Sequence, residues 1–298
     1  MNNSGNRNIF KSNKFFAYTM IFPSLIMIIL VVFYPLVLVF RMSVSEISFA
    51  GGGLAYEFHG LETYIKVFND FNFVRTIKNS LHFAFYSVSL SIILGFIITL
   101  ALDKIKKGVN VFRTIILLPW IAPLVVSGMM WKWVLNDIFG IVNYILIQLN
   151  IVDNPVNWVG NPATAMKTVI WADIWAFTPF CVIILYAGLQ QIPNEIFESA
   201  KVDGAGPIRT FFYITLPMLK RFVFIVLLIR TIFALRVFDI IYVLTKGGPG
   251  NTTNVLGLEI YRQGTKFLNL SNASALSVIT LVLTFTICLG YFYLFRRD

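Results

Sequence analysis

A chain of 298 residues with 57% apolar and only 13% charged positions has a mean hydropathy of +0.77, whereas soluble domains carry about 25% charged residues. That balance excludes an ordinary water-soluble domain and predicts an all-α polytopic membrane protein. The net charge of +10 is scattered between apolar runs and forms no basic face, which argues against nucleic acid and for a chain obeying the positive-inside rule.

In chain order, "NRNIFKSNK" is followed by an uncharged apolar run over residues 15–40. The run is too long for a signal-peptide core and lacks a small-x-small cleavage site, so it reads as a first span behind a short tail, residues 1–14. A helix crosses the hydrocarbon with about 20 apolar residues. Five more runs qualify, at 80–102, 114–135, 168–190, 222–244 and 273–295. This predicts six transmembrane helices in a single domain, residues 15–298. Lys132 near one end of the third run can snorkel to the headgroups. Pro23, Pro35, Pro119, Pro123 and Pro179 interrupt spans, which is tolerated where neighbouring helices or a cavity satisfy the backbone. The stretch "IFGIVNYILIQL", residues 138–149, is too short to span and reads as an interfacial or scoop helix.

Orientation follows from the short loops. Arg7, Lys11 and Lys14 precede span one; Lys104, Lys106, Lys107 and Arg113 lie between spans two and three; Arg296 and Arg297 end the chain. Residues 133–166, by contrast, hold no Lys or Arg at all. Both termini are therefore expected in the cytoplasm. Cys181 and Cys288 lie inside apolar runs and read as packing residues, not a disulfide scaffold. His59 and His82 lack partners at metal-ligand spacing, so no metal site is expected. No nucleophile–base or paired-carboxylate arrangement argues for an enzyme.

Between spans four and five lies "IPNEIFESAKVDGAGPIRTFFYITLPMLKR", part of a polar elbow over residues 191–221 expected on the cytoplasmic side. Pro193 suits a helix start, and Glu195 and Glu198 suit its first turns. Asp203-Gly204-Ala205-Gly206 should end that helix, and Pro207 can open a second one before Pro217. Ser199, Ala200, Gly204, Ala205 and Gly206 leave the corner nearly bare of side chains. A bare corner lets another backbone approach, and any helix-turn-helix connector could also contain Asp-Gly.

Glu198-Ser199-Ala200, Asp203-Gly204-Ala205 and Leu216-Pro217 resemble the "EAA" loop of ABC-importer permeases, with Ser199 where the family usually has Ala. The flanking "AGLQQIPNEIFESAKVDGA" is similar to the carbohydrate-uptake class, the maltose and glycerol-3-phosphate importer type. So are "FHGLETYIKVFND", "LPWIAPLVVSGMMWKWVLNDIFGIVNYIL" and "FDIIYVLTKGGPGNTTNVLGLEIY". The stretch "LSNASAL" departs from that pattern. The resemblance implies a type I ABC importer permease fold in a bacterial or archaeal cytoplasmic membrane. It also implies a second homologous permease subunit, two ABC ATPase subunits carrying ATP and Mg, an extracytoplasmic solute-binding protein and a carbohydrate substrate. The elbow would be the coupling helix, with Glu195, Glu198, Ser199, Ala200, Asp203, Gly204, Ala205, Gly206, Leu216 and Pro217 docking on an ATPase. No cofactor is expected on this chain, which lacks G-x-x-x-x-G-K-[ST]. The same architecture for glycerol phosphate or an amino acid, or a secondary transporter, is the alternative.

For the path itself, Trp171 and Trp175 are i,i+4 on one face of span four, positioned either for an interfacial belt or for stacking on sugar rings. Charges inside spans face a cavity or a partner. Asp173 and Asp239 each lie about 8 Å from the outer ends of their spans and Arg236 about 12 Å, so these three can meet at one depth. Arg236 and Asp239 can also pair as i,i+3 neighbours. Arg230 lies deeper, has no acid at i±3 or i±4, and either lines a cavity or meets another subunit.

Overall fold

The computed structural model describes residues 6–50, 53–105 and 107–296. Residues 1–5 of the expected tail, Lys106 and Arg297 lie outside the described residues. From Asn6 the chain is helical: α1 (Asn6–Ile28), a π-helical turn (Ile29–Phe33) and α2 (Tyr34–Ser43). Pro35 sits at the second position of α2. Its ring would crowd the carbonyl of Val31, and the wide π turn lies at that carbonyl. The most apolar stretch of Phe16–Ser43 buries none of its residues against the rest of the chain.

The stretch between the first two expected spans contains strand, which corrects the all-α expectation. β1 (Ser45–Ala50) pairs antiparallel with β2 (Gly53–Phe58), Ser45 standing opposite Phe58. The hairpin is tied to the far end of the chain by the Ile47 amide, which donates to Ser271 Oγ at 3.0 Å. α3 (Glu62–Asn69) leads into α4 (Phe71–Asp103), where the Asp70 carboxylate caps the helix by accepting from the Asn72 amide at 2.9 Å. At 33 residues, α4 is about 50 Å long and outruns the hydrocarbon core.

The third apolar run does not form one straight span. α5 (Val109–Ile121) and α6 (Leu124–Val134) meet at 94°. Pro123 has no N–H to give and drives Ala122 into an extended conformation (ψ 134°). α7 (Ile141–Gln148) falls inside the stretch read as a scoop helix. α8 (Pro162–Leu189) starts with Pro162 in the first turn and the Asn161 side chain accepting from the Ala163 amide at 2.9 Å. It is the central helix, with 72% of its most apolar stretch buried.

The elbow follows as α9 (Asn194–Val202), α10 (Pro207–Thr210), a π turn (Phe211–Thr215) and α11 (Leu216–Met218). The fifth apolar run is also broken: α12 (Lys220–Leu235) stops at Arg236, and α13 (Asp239–Leu244) restarts after Phe238. α14 (Leu256–Tyr261) and α15 (Leu270–Phe295) complete the chain. Four helical segments are long and apolar enough to cross a membrane, five if the bent α5–α6 pair counts as one. Six uninterrupted spans are therefore not what the described residues form; α12 has only 16 residues.

The main core joins α4, α8, α12 and α13 through Phe83, Ile174, Leu185, Val226, Leu235 and Ile240. Ser87, Ser91, Gly95 and Thr99 of α4 recur every fourth residue, and all are buried. Such a small-residue ridge lets helix backbones approach closely in lipid. A Cβ on Gly95 would stand 2.8 Å from Cys181 Cβ of α8.

Candidate functional site

Two places in this frame concentrate chemistry. The first is the elbow. α9 ends in a Schellman turn: the Gly204 amide donates to the Lys201 carbonyl at 3.1 Å and the Ala205 amide to the Ala200 carbonyl at 2.9 Å. Gly204 takes a φ of +75° that the turn demands, and nothing within 4 Å would meet a Cβ there. Glu195, Glu198, Ser199, Asp203, Gly204, Gly206 and Pro217 are exposed, Ala205 and Leu216 are half-buried, and Ala200 is buried. A concavity of about 450 Å³ opens between the arms, lined by Ser199, Ala200, Asp203, Ala205, Arg209 and Tyr213. Val202, Ile208 and Tyr213 are 88%, 74% and 78% exposed. The sequence reading missed this apolar rim, although Val202 and Ile208 stand out as isolated apolar residues within "AKVDGAGPIRT". A bare corner ringed by exposed carboxylates and apolar side chains has the make-up of a protein-docking surface.

The second is a buried ion pair. Arg230 of α12 and Asp173 of α8 are 0% and 1% exposed, with Nη2 at 2.6 Å from Oδ2. The same Nη2 donates to Ser87 Oγ at 2.6 Å and reaches Ser91 Oγ at 3.4 Å. Ser87 in turn donates to the Asp173 carboxylate. The Phe177 ring covers the guanidinium, its centroid 4.3 Å from Cζ. Nε and Nη1 of Arg230 are buried without an acceptor among the described residues. Three helices thus converge on one charge pair in a setting where an unpaired charge is costly.

This geometry replaces the expected meeting of Asp173, Arg236 and Asp239. The helix break at Arg236–Phe238 removes the i,i+3 relation, and among the described residues Arg236 and Asp239 form no ion pair with each other. Arg236 is exposed and Asp239 half-buried. Arg236 faces a separate cavity of about 720 Å³ with Ser277, Thr280 and Thr284 of α15. Arg230 is neither open to a cavity nor free for another subunit: its partner is on α8. Helix-local spacing could not find that pairing. The four-residue recurrence of small residues in α4 was the available signal for Ser87 and Ser91.

Trp171, 57% exposed, and half-buried Trp175 line one apolar groove of about 350 Å³ with Trp131 and Pro119. Trp131 and Trp175 meet edge to face at 5.9 Å. Asp173, between the two tryptophans in sequence, turns to the opposite side, into the ion pair.

Long apolar helices packed around a charge pair, with a polar elbow between two of them, define a multi-pass helical membrane protein. The sequence family described as binding-protein-dependent transport system inner membrane component matches residues 87–297, a segment that takes in the elbow and every member of the ion-pair cluster. The chain belongs to that family, and the resemblance to ABC-importer permeases is borne out. The trehalose/maltose transport system permease protein MalF of Thermococcus litoralis is 39% identical over 95% of this chain and 95% of its own length. The sulfoquinovosyl glycerol transport system permease protein SmoG of Agrobacterium fabrum is 33% identical over 95% of this chain and 91% of that protein. The fold is that of a chain in the crystal structure of a bacterial ABC transporter involved in the import of the acidic polysaccharide alginate. The two superpose with a TM-score of 0.82 at 23% identity, covering 98% of this chain and 99% of that one.

Proposed function

We propose that this chain is one permease subunit of an ATP-driven importer for a sugar or oligosaccharide. The observation that carries the reading is the 39% identity to a trehalose/maltose permease along nearly the full length of both chains. A second permease of the same family completes the path, two ATPase subunits bind ATP and Mg, and an extracytoplasmic binding protein delivers the sugar. The chain crosses the membrane six times, with α5–α6 and α12–α13 as broken spans and both termini in the cytoplasm. Broken helices suit this role, because irregular backbone at membrane depth is tolerated where it lines a cavity.

The elbow transmits the ATPase cycle. Glu198 and Asp203 meet basic groups of the ATPase, Val202 and Ile208 fill apolar contacts, and the corner at Gly204 admits the partner's surface. The Trp131–Trp171–Trp175 groove offers flat aromatic faces to sugar C–H surfaces. The Asp173–Arg230 pair holds α4, α8 and α12 in register beside it. Co-expression with its partner permease, binding protein and ATPase tests the reading: labelled trehalose or maltose should accumulate against a gradient only when ATP is supplied. ATP-independent uptake by this chain alone, driven by an ion gradient, would show a secondary transporter instead.

A further inference from the structure

Arg113, near the start of α5, is a cation without a carboxylate partner among the described residues. Its guanidinium carbon sits 4.0 Å from the centroid of the Tyr186 ring on α8, and its Nε is buried with no acceptor among the described residues. No ion pair among the described residues includes it. The Tyr186 hydroxyl accepts from Gln190 Nε2 at 2.8 Å, which fixes the ring and leaves the phenol proton free to donate. From this polar end a groove of about 380 Å³ runs between α4, α5 and α8. Its walls are apolar side chains: Leu102, Ile116, Leu117, Val182 and Ile183. Lys104 and Lys107, both exposed, lie in the stretch between Leu102 of the groove wall and the start of α5, next to the exposed Asp103.

One end of the groove is cationic and hungry for an acceptor; the rest is a greasy slot. An anionic phospholipid carries the matching halves in one molecule, a phosphate above and an acyl chain below. We propose that this groove is a binding site for an anionic phospholipid of the cytoplasmic leaflet. The phosphate oxygens accept from Arg113 and the Tyr186 hydroxyl, Lys104 and Lys107 add charge at the mouth, and one acyl chain lies along Ile116 and Ile183. A protein segment covering the groove would have to bring both a carboxylate onto Arg113 and a continuous apolar strip, whereas the bilayer supplies both at this depth. The leaflet assigned rests on the topology given under the proposed function.

The test uses the complete transporter, with its partner subunits, in nanodiscs containing photoactivatable phosphatidylglycerol or, separately, photoactivatable phosphatidylcholine. Phosphatidylglycerol should label peptides of α5 and the end of α8 in preference to phosphatidylcholine. Arg113→Gln should lower that labelling about fivefold, with Arg113→Lys keeping part of it. Ile183→Trp fills the acyl slot without touching the cation and should also abolish labelling, so the outcome does not hang on Arg113 variants assembling. Equal labelling by both lipids, or cross-linking of Ile116→Cys to the partner permease across this groove, overturns the proposal. Labelling needs neither solute nor ATP, so a failed sugar-uptake assay leaves this result readable.

Discussion

Arg230 carries a full charge at 0% exposure, and one nitrogen, Nη2, makes all of its contacts with Asp173, Ser87 and Ser91. Removing either charged partner strands the other in a dry interior. Arg230→Gln should therefore cost about 3–5 kcal/mol, read as a lower melting temperature and lower yield of the assembled protein in detergent. Replacing the pair by apolar residues of similar volume, Asp173→Leu with Arg230→Met, should recover most of that stability; a double variant as unstable as the single one would mean the cluster does more than balance charge. The sequence singled out both residues, because ionisable groups within apolar runs are conspicuous. It could not join them, because the bonds close over 57 residues to Asp173 and 143 to Ser87, beyond any helix-local spacing.

Helix breaks govern the element scale. The break after α5 is legible in the chain, since Pro123 forbids the helix from running on. The break at Arg236–Phe238 has no proline or glycine of its own; part of its cause is tertiary. Gly257 of α14 packs against it so closely that a Cβ there would stand 2.4 Å from the Val237 carbonyl oxygen and 3.1 Å from that of Arg236. Because the obstacle is backbone, it cannot swing aside. Gly257→Ala should cost about 1–3 kcal/mol through overpacking, whereas Gly290→Ala, inside α15 with nothing within 4 Å of the added carbon, should leave the melting temperature unchanged or raise it slightly. Equal melting of the two variants would contradict the close approach. The β-hairpin is hidden in the sequence by its short length beside long apolar runs; alternating apolar residues over 45–50 and 53–58, with a run of glycines in the sequence between them, are its signal. The elbow, by contrast, was legible in detail, since Pro207 and the Asp-Gly-Ala-Gly corner act through local backbone geometry.

At the scale of the whole molecule, the function proposed above has the elbow on one side of the helices drive rearrangement of a path lined from α5, α6 and α8. Gly204 is the most direct handle on that link. Its φ of +75° is strained for any side chain, and its outer face is open for a partner. Gly204→Asp should uncouple the transporter while leaving the buried core intact, since nothing among the described residues lies within 4 Å of a Cβ added there. Glu198→Ala should weaken binding of the ATPase without changing the melting temperature of the permease, as measured by co-purification. The decisive measurement is ATP hydrolysis by the reconstituted assembly as sugar-loaded binding protein is added, for the unaltered chain and for Gly204→Asp. The account predicts hydrolysis that rises with loaded binding protein in the first and stays flat in the second, at equal amounts of assembled complex. Equal stimulation in both would contradict transmission through the elbow.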